Sequence, residues 1–303
     1  MLSRSALALL VAVALLRGSS YLPTQVARDG FSPASLIAVE ILLTVLVAWV
    51  FAAARGHLRQ ALRVIAARPA PSLALAASLT GVPLTLIALA ITDVSSGMAA
   101  ILVAPAPIFG LAFGVLAGER LPWRAVVGAL VGFAGVVVAT GGGSAGSLTA
   151  VLALLAASAC YAIGARTIRT WFADVRPEAI ALAASLPALP VGVLLLLADV
   201  PDAVPPTGSI AALAVLGAAN IGLGLVLWCA LVRSAGPETA LLVTYANPPV
   251  AMLLAALVAG EVLSLRELLG LVVVFAGIAM TTGTLRLPAL RSRLTWTTST
   301  SES

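Results

Sequence analysis

Two stretches of this sequence resemble each other: residues 117–135 read AGERLPWRAVVGALVGFAG, and residues 259–277 read AGEVLSLRELLGLVVVFAG. At this offset of 142 residues both copies begin with Ala-Gly-Glu, share an Arg and a Gly in the middle, and end with Phe-Ala-Gly. Pro107 matches Pro249 at the same offset. A match of this length over a turn and a following apolar run indicates an internal repeat.

The composition around the repeat predicts a membrane protein. Of the 303 residues, 61% are hydrophobic and 10% are charged, and the mean hydropathy is +1.12. So few charges cannot cover the surface of a water-soluble fold, and they also exclude a disordered chain. A disulfide scaffold is excluded because Cys160 and Cys229 are the only cysteines. We therefore expect an all-α integral membrane protein that crosses the bilayer several times.

Ten runs are long and apolar enough to span a membrane as helices, which needs about 20 residues each. They cover residues 5–25, 34–54, 71–91, 95–117, 123–140, 148–165, 177–197, 210–232, 239–258 and 268–284.

The ten runs divide into two sets of five. We predict a first repeat over residues 1–140, a Gly-rich linker over 141–147, a second repeat over 148–284 and a tail over 285–303. Because five is odd, the second set must enter the membrane from the side opposite to the first. Inverted repeats of this kind are typical of secondary transporters.

The arginines predict the orientation in the membrane. All 17 basic residues are Arg, and the formal net charge is +5. With the N-terminus inside, 14 of them fall in cytoplasmic segments and two, Arg28 and Arg266, fall outside. We therefore expect a multi-pass protein of the inner (plasma) membrane with both termini in the cytoplasm. This loop distribution indicates a topology signal and no nucleic-acid partner.

Enzyme chemistry has little support in the sequence. The only histidine is His57, in an Arg-rich loop, so neither a zinc site of paired histidines nor a Ser–His dyad is available within the membrane. The chain has no lysine, which excludes a Lys-containing phosphate-binding loop. We predict no enzymatic activity, no cofactor and no metal.

Two charges fall inside predicted spans. Arg17 is in the first run and Glu40 is in the second, at similar depth. Each lone charge would cost about 2.5–3.5 kcal/mol on insertion scales. Two interpretations stay open: an ion pair that fixes the packing of the two helices, or a site for a solute or a coupling proton.

Prolines interrupt matched positions of the two halves. Pro105 and Pro107 fall near the middle of the fourth run, and Asn247 with Pro248 falls near the middle of the ninth. Proline frees a backbone carbonyl one turn earlier, and broken helices at matched positions mark transporter sites. We expect these residues to flank a central cavity. A simple kink for packing is the alternative.

Further polar and aromatic residues are candidates for the same cavity. They are Ser20, Tyr21, Tyr161, Asn220 and Tyr245. Tyr21 and Tyr161 lie at almost the same place in the two halves. For each residue alone, anchoring at the membrane interface or a bond between helices is an equally good explanation.

With these residues in view, the chain resembles the drug/metabolite transporter superfamily, specifically its EamA-domain branch. The resemblance rests on two five-helix halves that each carry Gly-Glu-x-Leu with an Arg downstream, and it covers nearly the whole chain. It implies a ten-helix bundle that moves small organic molecules. The family usually has Trp-Gly-Ser in the first helix and an Arg in the second, where this chain has Arg17-Gly18-Ser19 and Glu40.

The sequence thus predicts a secondary transporter of a small organic metabolite or drug-like solute that works by alternating access. Its expected partners are the solute, the lipid bilayer and, as a candidate coupling ion, a proton. A membrane scaffold that does not transport, or a channel, is the alternative.

Overall fold

The computed structural model describes residues 3–90, 93–94, 99, 102–119, 122–140, 147–199, 204–259 and 264–282. Within these ranges all regular secondary structure is helical. The α-helices are α1 (Arg4–Gly18), α2 (Tyr21–Arg28), α3 (Pro33–Ala54), α4 (Leu58–Ala67), α5 (Pro69–Ala76), α6 (Val82–Ala90), α7 (Ala106–Leu116), α8 (Trp123–Thr140), α9 (Leu148–Trp171), α10 (Pro177–Ser185), α11 (Leu189–Ala198), α12 (Thr207–Val215), α13 (Gly224–Ala235), α14 (Pro237–Leu241), α15 (Val243–Ala259) and α16 (Leu265–Thr281).

Three long helices are made of two α-helices joined without a loop. A π-helical segment, Ala77–Gly81, joins α5 to α6, and another, Leu216–Leu223, joins α12 to α13. A 3-10 turn, Leu186–Ala188, joins α10 to α11. Together with α3 and α9, these are the five helices of the described chain that are long and apolar enough to cross a membrane. Shorter apolar helices accompany them, which is the composition of an integral membrane protein.

Helices occupy the predicted apolar runs wherever the structure describes them, with differences in detail. The run 5–25 is not one helix, because it breaks at Ser19 and Ser20 between α1 and α2. The ninth run breaks at Leu242 instead of at its prolines, and Pro248 lies inside α15. The helix α4 falls in a segment that was expected to be a loop.

Serine caps begin several of the membrane helices. The hydroxyl oxygens of Ser3, Ser32 and Ser147 accept from a backbone N–H of the first turn of α1, α3 and α9. Ser264 and Glu267 form a reciprocal capping box at the start of α16. These bonds satisfy donors that a helix start would otherwise leave unpaired.

The short helix α4 lies at the end of the bundle where α3 finishes and α5 begins. Its Ala61 is fully buried against the main core, while Arg59 and Arg63 are exposed. A helix with one apolar and one cationic face is typical of the membrane–water interface.

The core is built from close contacts between helices. The helix α1 packs on α13 and α15, α3 packs on α10, α11 and the π-helical segment Leu216–Leu223, and α9 packs on α6 and α7. The largest contact between two helices joins α8 to α16. Small residues at these contacts let the backbones approach closely, as is usual between membrane helices.

Large apolar side chains cover the outside of the bundle. Leu116 and Leu257 are each more than four-fifths exposed, and Leu148, Leu194 and Val272 are more than half exposed. A water-soluble monomer rarely shows so much exposed apolar surface, whereas a bilayer accepts it.

Candidate functional site

A cavity of about 230 Å³ lies inside the bundle. Its wall is mostly apolar and draws on α1, α2, α3, α9, α13 and α15 as well as the helices around Leu84 and Val103. The polar and aromatic side chains among the described lining residues are Arg17, Ser20, Thr24, Arg28, Glu40, Tyr161, Trp228, Thr244 and Asn247. A mostly apolar pocket with few convergent polar groups is the usual form of a small-molecule site.

The break between α1 and α2 positions Arg17 at the cavity. The Ser20 hydroxyl donates to the carbonyl of Arg17 at 2.7 Å, and the Ser19 hydroxyl donates to the carbonyl of Leu16 at 3.0 Å. The amide of Asn220 donates to the Leu16 carbonyl and to the Ser19 hydroxyl. Backbone groups exposed by the break are therefore satisfied by protein.

Asn220 is not among the residues that line the cavity. It is buried, with 3% of its surface exposed, in the π-helical segment Leu216–Leu223. Its amide stabilises the break in the first span through the bonds to Leu16 and Ser19. A sequence shows the polar residue but not the helix break that it serves.

Arg17 lies in the last turn of α1 and lines the cavity. Its side chain passes beside Gly224, where an added Cβ would lie 3.6 Å from the Arg17 Nε. The Tyr161 hydroxyl, on α9, is close to the guanidinium. The Nε is buried and has no hydrogen-bond partner.

Glu40 lies on α3 and lines the same cavity with 6% of its surface exposed. Among the described residues it has neither a hydrogen-bond partner nor an ion-pair partner. Arg17 is near enough for its charge to act on Glu40, yet no nitrogen of Arg17 lies within 4.0 Å of the carboxylate oxygens. The direct ion pair considered from the sequence is not formed, and the two charges share the cavity instead.

Thr244, Asn247 and Pro248 bring α15 to the cavity. Asn247 is half-buried, and its side-chain Oδ1 has no hydrogen-bond partner. Here α15 approaches α1 closely, since an added Cβ on Gly18 would lie 2.5 Å from Val250 and 3.0 Å from the Asn247 carbonyl oxygen. Asn247 and Pro248 both lie in the wall of the cavity.

The prolines of the fourth run lie at a helix break. Residues 104–105 form a turn before α7, so the break is present. However, neither Pro105 nor Pro107 is among the described lining residues. The carbonyl of Val103, four residues before Pro107, accepts a hydrogen bond from the Ser158 hydroxyl at 2.8 Å. The protein itself satisfies the group that was expected to face a solute.

Tyr245 is also a structural residue and does not line the cavity. It is fully buried, and its hydroxyl donates to the carbonyl of Ala129 at 2.7 Å. Its ring lies against Gly132 on α8. The side chain of Tyr21, the remaining candidate, lies outside the described part of the structure.

Several lining residues were missed. Thr24 and Arg28 follow Arg17 and Ser20 at spacings of three and four residues, so these four form one polar stripe along α1 and α2. A polar stripe with helical periodicity inside an apolar run was a readable signal. Thr244 stands three residues before Asn247 on the same helix and could have been found in the same way.

The lining residues Trp228 and Leu241 are both buried, and we call the end of the cavity at which they lie the closed end. The Trp228 Nε1–H donates to the carbonyl of Ala240 at 3.1 Å, which holds the indole in place. At the other end the lining reaches the exposed residues Arg28 and Pro33, where α2 finishes and α3 begins.

A charge cluster lies beyond the closed end. The Glu119 carboxylate accepts from Arg166 at 3.0 Å and from Arg169 at 2.7 Å, and Arg169 also lies 3.4 Å from Glu238. The hydrogen bond from Arg166 lowers the pKa of Glu119 below its ordinary value. The cluster joins the ends of α7 and α9 to the start of α14.

A second ion pair lies at the same end. Arg68, before α5, binds Asp174 in a bidentate manner, at 2.9 and 2.8 Å. This hydrogen bonding lowers the pKa of Asp174 to about 2. Arg233, at the end of α13, donates to the carbonyls of Phe172 and Val175.

Comparison with known proteins places the chain in a family. The model of the EamA-like transporter family matches residues 4–141 and again residues 148–283. The "Uncharacterized inner membrane transporter YedA" of Escherichia coli strain K12 is 28% identical over 296 residues, covering 92% of each chain, and so is the protein of that name in Escherichia coli O157:H7.

A solved structure described as "Crystal structure of protein" superposes with a TM-score of 0.75 and 23% identity, over 92% of this chain and 97% of that one. This likeness concerns the fold alone. Because the family model covers most of the sequence, the chain belongs to the EamA-like transporter family, of the drug/metabolite transporter type, and is a transporter and not an enzyme.

Proposed function

We propose that this protein is a secondary transporter that moves a small organic solute across the inner membrane by alternating access. The observation that carries the proposal is the cavity of about 230 Å³ inside the helical bundle. Its lining reaches exposed residues at one end and stops at Trp228 at the other. A binding site accessible from one side is what one state of an alternating-access cycle requires.

Contacts of the kind expected from an inverted repeat support the proposal. Under the 142-residue offset, Gly135 corresponds to Gly277 and Gly132 corresponds to Val274. The close contacts at the α8–α16 interface are Gly135 with Val274 and Gly277 with Gly132, which exchange under that correspondence. The contacts also run antiparallel, as an inverted arrangement demands.

Other helix pairs follow the same pattern. If the first and sixth spans correspond, and the fourth and ninth, then the contact of α1 with α15 is equivalent to that of α9 with α7. We therefore infer ten spans in two repeats, over 1–140 and 148–284, with a linker at 141–147 and a tail at 285–303. The two segments matched by the family model agree with this division.

Ion pairs between helix ends stabilise the closed end of the cavity. Glu119, Arg166, Arg169 and Glu238 hold three helix ends together beyond Trp228. Surface ion pairs are weak individually and easily exchanged for water. Such contacts suit an end that must open during transport. We propose that the opposite access state separates them.

Orientation follows from the arginines of the described chain. Most lie at the end that carries the charge cluster, while Arg28 and Arg266 lie at the opposite end. We propose that the cluster end is cytoplasmic, as are both termini. A cytoplasm-specific reporter should be active when fused after Arg293 and silent when inserted at Ser144. Activity at Ser144 would contradict the span count.

Glu40 is the proposed site for a coupling proton, because it is the one acidic residue among the described lining residues. In proteoliposomes, an imposed pH gradient should drive accumulation by the wild type. Glu40→Gln should abolish the effect of the gradient and keep exchange along a solute gradient. If the wild type and Glu40→Gln respond equally to the pH gradient, proton transport is not coupled through Glu40.

Counterflow distinguishes a transporter from the alternatives, a channel or a scaffold that does not transport. Proteoliposomes loaded with unlabelled solute should accumulate the labelled solute transiently, with saturation, for at least one of a panel of labelled amino acids, organic amines, sugars and nucleosides. Flux that is linear in concentration, without counterflow, would indicate a channel, and no flux for any member would favour a scaffold.

Asn247→Leu tests the cavity in the same counterflow assay. It removes a polar group from the cavity and should abolish counterflow while the protein still folds and inserts. Thr167→Ala, at a half-buried residue of α9 that does not line the cavity, serves as the control and should leave counterflow unchanged.

A further inference from the structure

A second cavity, of about 280 Å³, shares no described lining residue with the central one. It is a groove between the joined helices α5 and α6 on one side and α10 and α11 on the other, at the level where both pairs are interrupted. Leu73, Val82 and Val191 line the groove and are exposed, so it opens on the outer surface of the bundle. In a membrane this surface faces the lipid chains.

Small residues at the two helix interruptions form the floor of the groove. Ala76, Ala77 and Gly81 line it where α5 passes into the π-helical segment, and Ala188 lines it from the 3-10 turn. An added Cβ on Gly81 would meet only ordinary contacts, at 3.8 Å from the Ala76 carbonyl oxygen and 4.0 Å from the Ala188 Cβ. The protein therefore leaves room for a larger group beside Gly81.

The wall of the groove is apolar, and its polar groups have partners. Thr85 is the one described lining residue with a polar side chain, and its hydroxyl donates to the carbonyl of Gly81 at 2.8 Å. At the interruption of the facing helix, the carbonyl of Ala184 accepts from the Thr80 hydroxyl at 2.7 Å. A ligand in the groove gains dispersion contacts and needs no polar group of its own there, which describes a hydrocarbon chain.

The dimensions of the groove fit one such chain. Along α5 and α6 the lining runs from Leu73 to Leu86, which is about 20 Å at a rise of 1.5 Å per residue. The hydrocarbon of one leaflet, half of the bilayer core, is about 15 Å deep. A further helix would need a cylinder about 10 Å across over this length, far more than 280 Å³ provides. The shape therefore admits a lipid acyl chain and excludes a helix of another protein.

A cationic surface lies at the end of the bundle where the groove begins. The helix α4 packs on both α5 and α10, and Arg68 alone separates it from α5. Arg59 and Arg63 lie one turn apart on the exposed face of α4. The N–H of Arg176 donates to the Gln60 side chain at 3.4 Å, which brings a third exposed arginine beside them. No carboxylate in the described ranges lies within ion-pair distance of Arg59, Arg63 or Arg176.

The acidic residues nearby are engaged by other cations. Asp174 is bound by Arg68, and Glu178 lies 3.3 Å from the His57 Nδ1 and 4.0 Å from Arg55. The exposed face of α4 therefore keeps an excess of positive charge. Guanidinium groups bind phosphate oxygens strongly, and clusters of arginines at the membrane surface attract anionic lipids.

We propose that the groove and the cationic face of α4 form one binding site for an anionic phospholipid, with its phosphate on Arg59 and Arg63 and one acyl chain in the groove. A phospholipid carries its phosphate at the membrane surface and its chains below it, as the two parts of the site are arranged. With the orientation proposed above, the lipid belongs to the cytoplasmic leaflet. The site is separate from the central cavity, so it does not depend on the transport function.

Native mass spectrometry of the purified full chain in detergent tests the site with defined lipids. Phosphatidylglycerol with palmitoyl chains should bind at least tenfold more tightly than phosphatidylcholine with the same chains, because only the headgroup charge differs. It should also bind at least tenfold more tightly than phosphatidylglycerol with hexanoyl chains, which fill less of the groove. Inorganic phosphate in excess should not displace it. These comparisons use the wild type, so they remain decisive if a variant fails to fold.

Variants separate the contribution of the headgroup from that of the chain. Arg59→Gln combined with Arg63→Gln should lower the affinity for phosphatidylglycerol at least tenfold and leave that for phosphatidylcholine unchanged. Gly81→Leu should lower the affinity for both lipids by a similar factor and keep the preference between them, because its side chain occupies the groove. The matched controls are Arg124→Gln, at an exposed arginine of α8, and Gly208→Leu, where nothing lies within 4 Å of an added Cβ. Neither control should change the affinity for either lipid.

The proposal is overturned if the wild type binds the two palmitoyl lipids equally, or if the hexanoyl lipid binds as tightly as the palmitoyl one. Displacement of the lipid by inorganic phosphate would indicate a simple anion site and would also overturn it. A preference for phosphatidylglycerol that survives the loss of both arginines would remove the headgroup site. If Gly81→Leu folds and binds both lipids as the wild type does, the chain does not lie in the groove and the proposal fails.

Discussion

The ion pair between Glu119 and Arg169, at 2.7 Å, ties the end of α7 to the end of α9. The same carboxylate also accepts from Arg166, whose side chain is 17% exposed and whose second terminal nitrogen is buried without a partner. Glu119 belongs to the repeated Gly-Glu motif. In one copy of that motif, the glutamate therefore joins two helices. The sequence alone indicates only a turn at this position.

Glu119→Gln should lower the free energy of unfolding by about 1–2 kcal/mol, because hydrogen bonds to two charged donors are lost in a partly screened site. Thermal unfolding in detergent measures the change. Asp174→Asn, which removes a more exposed ion pair, is the control and should have a smaller effect. Equal effects would show that burial of Arg166 adds nothing.

Acid should weaken the second ion pair. Arg68 lowers the pKa of Asp174 to about 2, so folding favours the ionised carboxylate. The stabilisation is complete above the ordinary carboxyl pKa of about 4 and is lost as the pH falls toward about 2. The difference in melting temperature between wild type and Asp174→Asn should shrink over that range. A difference that is the same at pH 7 and pH 3 would contradict the assignment.

The apolar periodicity and the repeat predicted much of the helical arrangement, because both depend on residues close in sequence or related by a fixed offset. Arg17, Glu40 and Asn247 all line the cavity. The sequence singled them out because polar residues in apolar runs need a shared polar environment. The stripe through Thr24 and Arg28 was equally visible.

Candidate residues that do not line the cavity have hydrogen-bond partners far away in the chain. Ser158 lies 55 positions from the carbonyl that it satisfies, and Asn220 lies 204 positions from Leu16. A single sequence does not show whether a polar group faces a cavity or a neighbouring helix. Likewise, the similar depth of Arg17 and Glu40 in the sequence did not indicate that the two side chains would form no direct ion pair.

The bond from Ser158 to Val103 gives a third prediction. Ser158→Ala should leave the half-buried Val103 carbonyl without its donor and destabilise the fold by about 1–3 kcal/mol. Pro107→Ala restores a backbone N–H four residues after that carbonyl. The double variant should therefore be more stable than the sum of the two single effects predicts, in a double-mutant cycle of unfolding free energies. Strictly additive changes in unfolding free energy would show that Ser158 and Pro107 do not act on the same carbonyl.

The α8–α16 interface gives the last prediction. An added Cβ on Gly277 would overlap the backbone of Gly132 and come within 2.8 Å of the Gly128 carbonyl oxygen. Backbone atoms cannot move aside as a flexible side chain can, so Gly277→Ala should force the two helices apart and cost about 1–3 kcal/mol or more. Gly208→Ala is the matched control, because nothing lies within 4 Å of its added Cβ, and it should leave stability unchanged or slightly raised. Thermal unfolding and the monodisperse fraction after size-exclusion chromatography measure both variants. If Gly277→Ala melts with the wild type, the close approach of these two helices does not hold the halves of the protein together.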